Sequence, residues 1–299
     1  MQVQFYGESG KHFVTYNGTI SEPKTDDILS KFGYYMLYQK NINKICGGSG
    51  LPFLSYEQLN KIEVCYPKNI QEQEAISNYL TNLDNLIDLY QNKYEKLVSL
   101  KKALLEKMFP KNDENVPKIR FKGFNDTWRQ CKLDEIVDRY DNLRVPVTAK
   151  LRKKGNTPYY GANGIQDYVK GYTHKGEFIL VAEDGANDLK NYPVQYVNGC
   201  IWANNHVHVL QAKKEKSDNK FLVYAISQTD IESLLVGGGR AKLNANIMME
   251  IKIKLPNSLE EQSKIGNLIL NVDNLITLHK HKLDKLQNIK KSLLNKMFV

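Results

Sequence analysis

Glu260 to Phe298 reads EEQSKIGNLILNVDNLITLHKHKLDKLQNIKKSLLNKMF. Glu72 to Phe109 reads EQEAISNYLTNLDNLIDLYQNKYEKLVSLKKALLEKMF. The two stretches align without a gap at an offset of 189, which carries Gln73 onto Gln262 and Phe109 onto Phe298. From Gln71 to Phe109, 20 of 39 aligned positions are identical. An internal repeat on this scale sets the organisation of the chain before any single motif does.

Each copy has the pattern of a long helix. Ile76, Leu80, Leu83, Ile87, Tyr90, Tyr94, Leu97, Lys101, Leu104 and Met108 recur at alternating spacings of four and three. Ile265, Ile269, Val272, Ile276, His279, Leu283, Leu286, Lys290, Leu293 and Met297 repeat that spacing. This is an a/d heptad seam. A helix of about 35 residues spans roughly 50 Å at about 1.5 Å per residue. Two such seams in one chain are expected to bury each other as an antiparallel coiled coil. Both copies carry a lysine at the same seam position, and a long lysine side chain can snorkel out of a seam.

The offset continues upstream. Pro67 matches Pro256, Ile62 matches Ile251, Leu54 matches Leu243, Gly48 and Gly50 match Gly237 and Gly239, and Phe32 and Tyr35 match Phe221 and Tyr224. The repeat unit is therefore a globular domain, a glycine turn, a short strand and the helix. Residues 111–299 form one whole unit, and residues 1–110 are expected to be the back part of another, about 79 residues short in front. The expected divisions are 1–68, the C-terminal part of a first globular domain; 69–110, a first helix; 111–257, a complete second domain; and 258–299, a second helix. The polar, proline-bounded run Pro110 to Pro117 marks the central boundary.

The fold class expected is mixed α/β. Phe178–Ala182, Val207–Leu210 and Ile251–Leu255 have strand composition, Phe221–Ile231 looks helical, and Trp128 and Leu133 are core anchors. A net charge of +9 on 299 residues favours a polyanionic partner. Cys46, Cys65, Cys131 and Cys200 form no CxxC pair, so neither a zinc site nor a disulfide framework is expected. No apolar run approaches about 18 residues, so no membrane span is expected and the chain is placed in the cytoplasm.

Chemistry-bearing motifs are absent: no GxxxxGK[ST] loop, no dinucleotide fingerprint, no GxSxG elbow, no HExxH, no asparagine–proline–proline–aromatic methylation motif and no acidic nuclease cluster. No cofactor, metal or catalytic residue is expected. Glu183-Asp184-Gly185 reads as a turn, and the His206/His208 and His279/His281 pairs lack a third ligand nearby.

Several residues have the chemistry for nucleic acid. Lys150, Arg152, Lys153 and Lys154 precede the YYGANG turn, and cationic side chains neutralise phosphates. Tyr160 and Asn163 lie in that turn, and Asn163, Asn204, Asn205 and His206 are candidates for base contacts. Amide side chains can pair with base edges. Arg240 and Lys242 sit on the glycine loop VGGGRAKLN, where backbone can approach DNA closely.

These residues lead to a family. GGGRAKLNANIMMEIKIKLP, EEQSKIGNLILNVDNLI and KKSLLNKMF, echoed by GGSGLPFLSYEQLNKIEVCYP, EQEAISNYLTNLDNLI and KKALLEKMF, resemble the specificity subunit of type I restriction–modification systems. PKIRFKGFNDTWRQCKL resembles the opening of a target recognition domain. The resemblance implies a non-catalytic subunit whose two recognition domains read the halves of a bipartite double-stranded DNA site, with the helices as an antiparallel spacer. It implies docking of two adenine methyltransferase subunits, which use S-adenosylmethionine, and of ATP-hydrolysing motor-nuclease subunits. Self-association of two copies through the spacer helices stays open. So does a different class of function, a DNA-silent interaction scaffold acting through its coiled coil. A self-sufficient nuclease or methyltransferase is disfavoured by the missing motifs.

Overall fold

The computed structural model describes residues 4–5, 7, 20–40, 55–111, 114–237 and 241–298. It falls into two compact units. Unit 1 holds Met1–Lys96 and Ile276–Val299, and unit 2 holds Leu97–Leu275. Both unit boundaries fall within the two long helices.

Unit 2 carries the sheets. After helix α3 (Ile70–Met108) come strand β1 (Arg129–Lys132), the short helix α4 (Leu133–Ile136) and strand β2 (Val137–Arg139). Strands β3 (Lys154–Gly161), β4 (Gly164–Val169), β5 (His174–Ala182), β6 (Val194–Ala203) and β7 (Val207–Ala212) follow. Helices α5 (Asn219–Ser227) and α6 (Ala245–Met249), strand β8 (Lys252–Leu255) and helix α7 (Leu259–Met297) complete the chain. One sheet has the order β2-β7-β5-β6-β3-β4, and β1 and β8 form a separate antiparallel pair.

The run FILVA lies in β5, and its alternation explains the two cores. Ile179 and Val181 point to one cluster, with Phe221, Leu222, Leu243 and Ile265. Phe178 and Leu180 point to another, with Val197, Ile201, Val207 and Val209. Gly176 and Gly199 face each other in the β5–β6 ladder. Their φ values are +141° and +107°, a region side-chain-bearing residues rarely enter. Both strands thus carry the same backbone irregularity at one register position.

Helix α5 is shorter than the sequence implies. It stops at Ser227, and a 3-10 turn at Glu232–Leu234 follows. All of Phe221–Ile226 is buried. It packs so closely on α7 that a Cβ on Gly266 would lie 2.5 Å from the Phe221 backbone nitrogen. Trp128 and Leu133 are core residues, as expected: Trp128 packs edge-on against Phe109 and Phe221.

In unit 1, helix α1 (Ser30–Gln39) packs Phe32, Tyr35 and Met36 against Leu80 of α3 and Leu294 and Phe298 of α7. A short helix α2 (Tyr56–Asn60) precedes the chain's entry into α3 and is closed by a capping box from Ser55 and Gln58.

The 189-residue offset holds down to single hydrogen bonds. In unit 1, Tyr35 donates to Asp84 (2.9 Å), and Lys290 lies 2.5 Å from Asp84 and over the Tyr35 ring. In unit 2, Tyr224 donates to Asp273 (2.8 Å), and Lys101 lies 2.7 Å from Asp273 and over the Tyr224 ring. Gln73 donates to the Pro67 carbonyl and accepts from the Leu29 N–H. Gln262 does the same with Pro256 and Asp218. Within each unit α3 and α7 therefore meet antiparallel. The seam lysines do not snorkel: each ammonium is held by an aspartate on the other helix. No seam position named above is exposed.

Candidate nucleic-acid interface

Strand β3 divides the sequence-selected residues into two groups. Its eight residues cover roughly 25 Å of extended chain at about 3.3 Å each.

At its start stand Lys150, on the 3-10 turn Ala149–Leu151, then Arg152, Lys153 and Lys154. The three lysines are exposed, and no partner among the described residues holds their ammonium groups. Lys153 accepts the Lys170 N–H at 2.8 Å, which adds a fourth exposed lysine to this corner. Leu151, Tyr168 and Tyr172, all exposed, lie close by in the chain. Arg152 is different. Its guanidinium lies 4.1 Å from the Tyr159 ring centroid, its Nε donates to Val147 and its side chain is 15% exposed. It is a packing group that holds the loop 147–152 onto β3.

At the end of β3 the structure gathers Tyr160, Asn163, Asn204, Asn205, His206 and Lys242. Asn163 uses both ends of its amide: Nδ2 donates to Gly185 O and Oδ1 accepts from Asn187 N–H, each at 2.8 Å. Asn204 is buried, accepts the His206 N–H at 2.8 Å and donates its own N–H to Tyr160 O. These two asparagines hold turns together. His206 Nδ1 lies 2.5 Å from Asp184, and Lys242 lies 2.8 Å from Glu183. Tyr160 is half-buried against the second core, and burial, then the nearby Tyr168, push its hydroxyl pKa up. Asn205 is exposed at the tip of its turn. Arg240 lies outside the described residues.

Below this group is a charge network that sequence patterning does not single out. Arg144 Nη1 contacts Glu183 at 2.6 Å and Val207 O at 2.7 Å. His208, 1% exposed, faces Asp141 at 2.7 Å through Nδ1 and Leu243 O at 2.9 Å through Nε2. Burial pushes the Asp141 carboxyl up, but hydrogen bonds from His208 and Val209 and the nearby Arg144 charge outweigh it and leave it below the ordinary range. Glu183 is likewise raised by burial and lowered further by Lys242 and Arg144. The network fixes the loops at 141–145, 183–187, 204–208 and 242–243 against one another. Its only local trace is Asp141 three residues before Arg144, a spacing common in turns. Glu183 is engaged by Arg144 and Lys242 and Asp184 by His206, and no cluster of metal-ligand type occurs among the described residues. Nor is any described helix long and apolar enough to cross a membrane.

The arrangement can hold a polyanion at the lysine corner and present Asn205 from an ordered base. Comparison with known proteins agrees with that chemistry. The chain matches the family described as type I restriction modification DNA specificity domain over residues 5–99 and 125–288. A putative type I restriction enzyme specificity subunit of Haemophilus influenzae is 43% identical over 159 residues, covering 53% of this chain and 40% of that protein. The type I restriction enzyme MjaVIII specificity subunit of Methanocaldococcus jannaschii is 23% identical over 319 aligned positions, 97% of this chain and 74% of that one. In fold, the crystal structure of the type I restriction–modification S subunit from M. genitalium superposes with a TM-score of 0.73 at 20% identity, over 91% of this chain and 73% of that chain.

Proposed function

Because the chain belongs to the type I restriction–modification DNA specificity family, we propose that it is the non-catalytic component that selects the DNA site for a restriction–modification complex in the cytoplasm. The observation that carries this reading is that the family match covers both repeats, not one domain. In this reading residues 111–257 form a complete recognition domain, 1–68 part of another, and 69–110 and 258–299 the spacer helices, which read a bipartite site together. Lys150, Lys153 and Lys154 contact phosphates. Asn205, with Arg240 and the rest of the glycine loop, approaches the bases. Arg152, Asn163, Asn204, His206 and Lys242 act by holding these loops in place. The partners are two adenine methyltransferase subunits and the motor-nuclease subunits, which supply all the chemistry.

The test is a genome-wide map of methylated adenines in cells carrying this chain with its methyltransferase partner. A bipartite motif is expected. A palindromic motif would mean that two copies of the second domain do the reading, and an asymmetric one that the first domain also reads. Assembly with the methyltransferase without any motif would replace this reading with the DNA-silent scaffold.

A further inference from the structure

Strands β3 and β4 form a hairpin at one edge of the sheet. Gly161 pairs with Gly164, so Ala162 and Asn163 alone make the turn. β3 pairs with β6 at Tyr159 and Tyr160, through Trp202 and Ala203. From Lys154 to Pro158 its partner among the described residues is β4 alone, and the hairpin is a two-stranded ribbon there. Near the turn its ladder is irregular. Tyr160 pairs with Ile165 and Tyr159 with Asp167, which leaves Gln166 as the extra residue of a β-bulge. A bulge re-aims a side chain, and bulges concentrate beside functional sites.

The polar side chains around this turn differ in what they have left to offer. Asn163 spends both ends of its amide on Gly185 and Asn187, and Asn204 is buried. Asp167, next along β4, lies 3.5 Å from Arg152. Gln166 is exposed, and its amide has no hydrogen-bond partner among the described residues. Its position is nonetheless defined. It lies across Gly161 so closely that a Cβ there would collide with the amide nitrogen. The side chain that the bulge re-aims thus keeps both donor and acceptor for a partner.

We propose that the β3–β4 hairpin enters the major groove of DNA and that Gln166 reads an adenine there, in the half of the site that unit 2 selects. The inference rests on the DNA-selecting function proposed above and adds the residue and the base. The major groove admits a two-stranded ribbon, and a glutamine amide matches the N6 donor and N7 acceptor of adenine. The lysine corner fits the same approach. Lys170 stands four residues from Gln166, roughly 13 Å at about 3.3 Å per residue, against a groove about 12 Å wide. Lys170, with Lys153 and Lys154, meets phosphates at the rim while Gln166 reaches the base edge. Arg152 offsets the charge of Asp167, the only carboxylate of the two strands.

The test maps methylated adenines in cells carrying the intact chain, or its Gln166→Ala or Gln166→Glu variant, with the methyltransferase partner. With Gln166→Ala, discrimination is expected to fall about tenfold or more at one A·T pair of the motif and to hold at the other positions. With Gln166→Glu, cytosine should replace adenine at that same position, because its N4 amine donates to a carboxylate. The change of base separates reading from support, since a merely structural glutamine cannot redirect the preference. A complete motif kept by both variants would overturn the proposal, and so would relaxation at a position that is not an A·T pair. An even loss of discrimination across the motif, or loss of all methylation by both variants, would make Gln166 a structural residue and overturn it as well. If the unaltered chain gives no motif, the DNA-selecting function itself fails and takes this inference with it.

Discussion

Arg120 and Glu261 pair where neither can be solvated alone, since the arginine side chain is 11% exposed and the glutamate 1%. Removing one partner of a buried pair leaves an uncompensated charge. Arg120→Ala is expected to destabilise unit 2 by about 3–5 kcal/mol, and the double variant Arg120→Met/Glu261→Met by clearly less. Urea unfolding of the three proteins measures the difference. His174 gives a pH dependence of known sign. Burial is the main cause that lowers its pKa, while the hydrogen bond to Tyr140 O opposes it. The unfolded chain therefore takes up a proton that the folded one refuses. Stability is fully present above the ordinary histidine value of about 6.5 and declines as pH falls below it. The lowered carboxyls of Asp141 and Glu183 act in a separate window. Their stabilisation is present above about 4 and fades as pH falls through their lower folded values. Urea midpoints at pH 7.5 and 5.5 should differ, and His174→Gln should shrink that difference while leaving the acid limb in place. At the lysine corner, Lys150→Ala, Lys153→Ala and Lys154→Ala together should weaken DNA binding evenly across sequences. The slope of log K against log salt should flatten by about one unit for each phosphate that is no longer neutralised. An unchanged slope would remove the corner from the interface.

The elements show where a repeat is strict and where it diverges. Gly266 of α7 and Ser77 of α3 occupy the same repeat position. Ser77 has room for its side chain and bonds back to Gln73 O at 2.7 Å. Gly266 has none, because α5 crosses against it. Helix propensity alone would favour alanine over glycine by about 1 kcal/mol. Gly266→Ala is nonetheless expected to destabilise by about 1–3 kcal/mol through overpacking, whereas Ser77→Ala is expected to be within about 0.5 kcal/mol. Thermal melts of the two variants check the contrast. The heptad spacing was readable because helical burial has a fixed period, and every seam residue named from it is at least half-buried. The fate of the seam lysines was not readable, because their aspartate partners lie far away in sequence, at Asp84 for Lys290 and Asp273 for Lys101.

For the molecule as a whole, the sequence by itself determined the duplication, the two long helices, the mixed α/β class and the family. Each rests on periodicity or direct self-similarity, which survive without knowing the fold. The tertiary structure alone decided which polar side chains remain available to a partner. Asn163 and Asn204 look like base readers in the sequence but are consumed by Gly185, Asn187 and His206. Asn205, one residue along, is left exposed. Arg152 looks like a fourth phosphate cation but is packed on Tyr159. The reason is physical. A polar group drawn into the fold must find hydrogen-bond partners there, and those partners come from distant segments of the chain, such as Gly185 and Asn187 for Asn163. Local composition records the donor and the acceptor, but only long-range closure determines which of them meet.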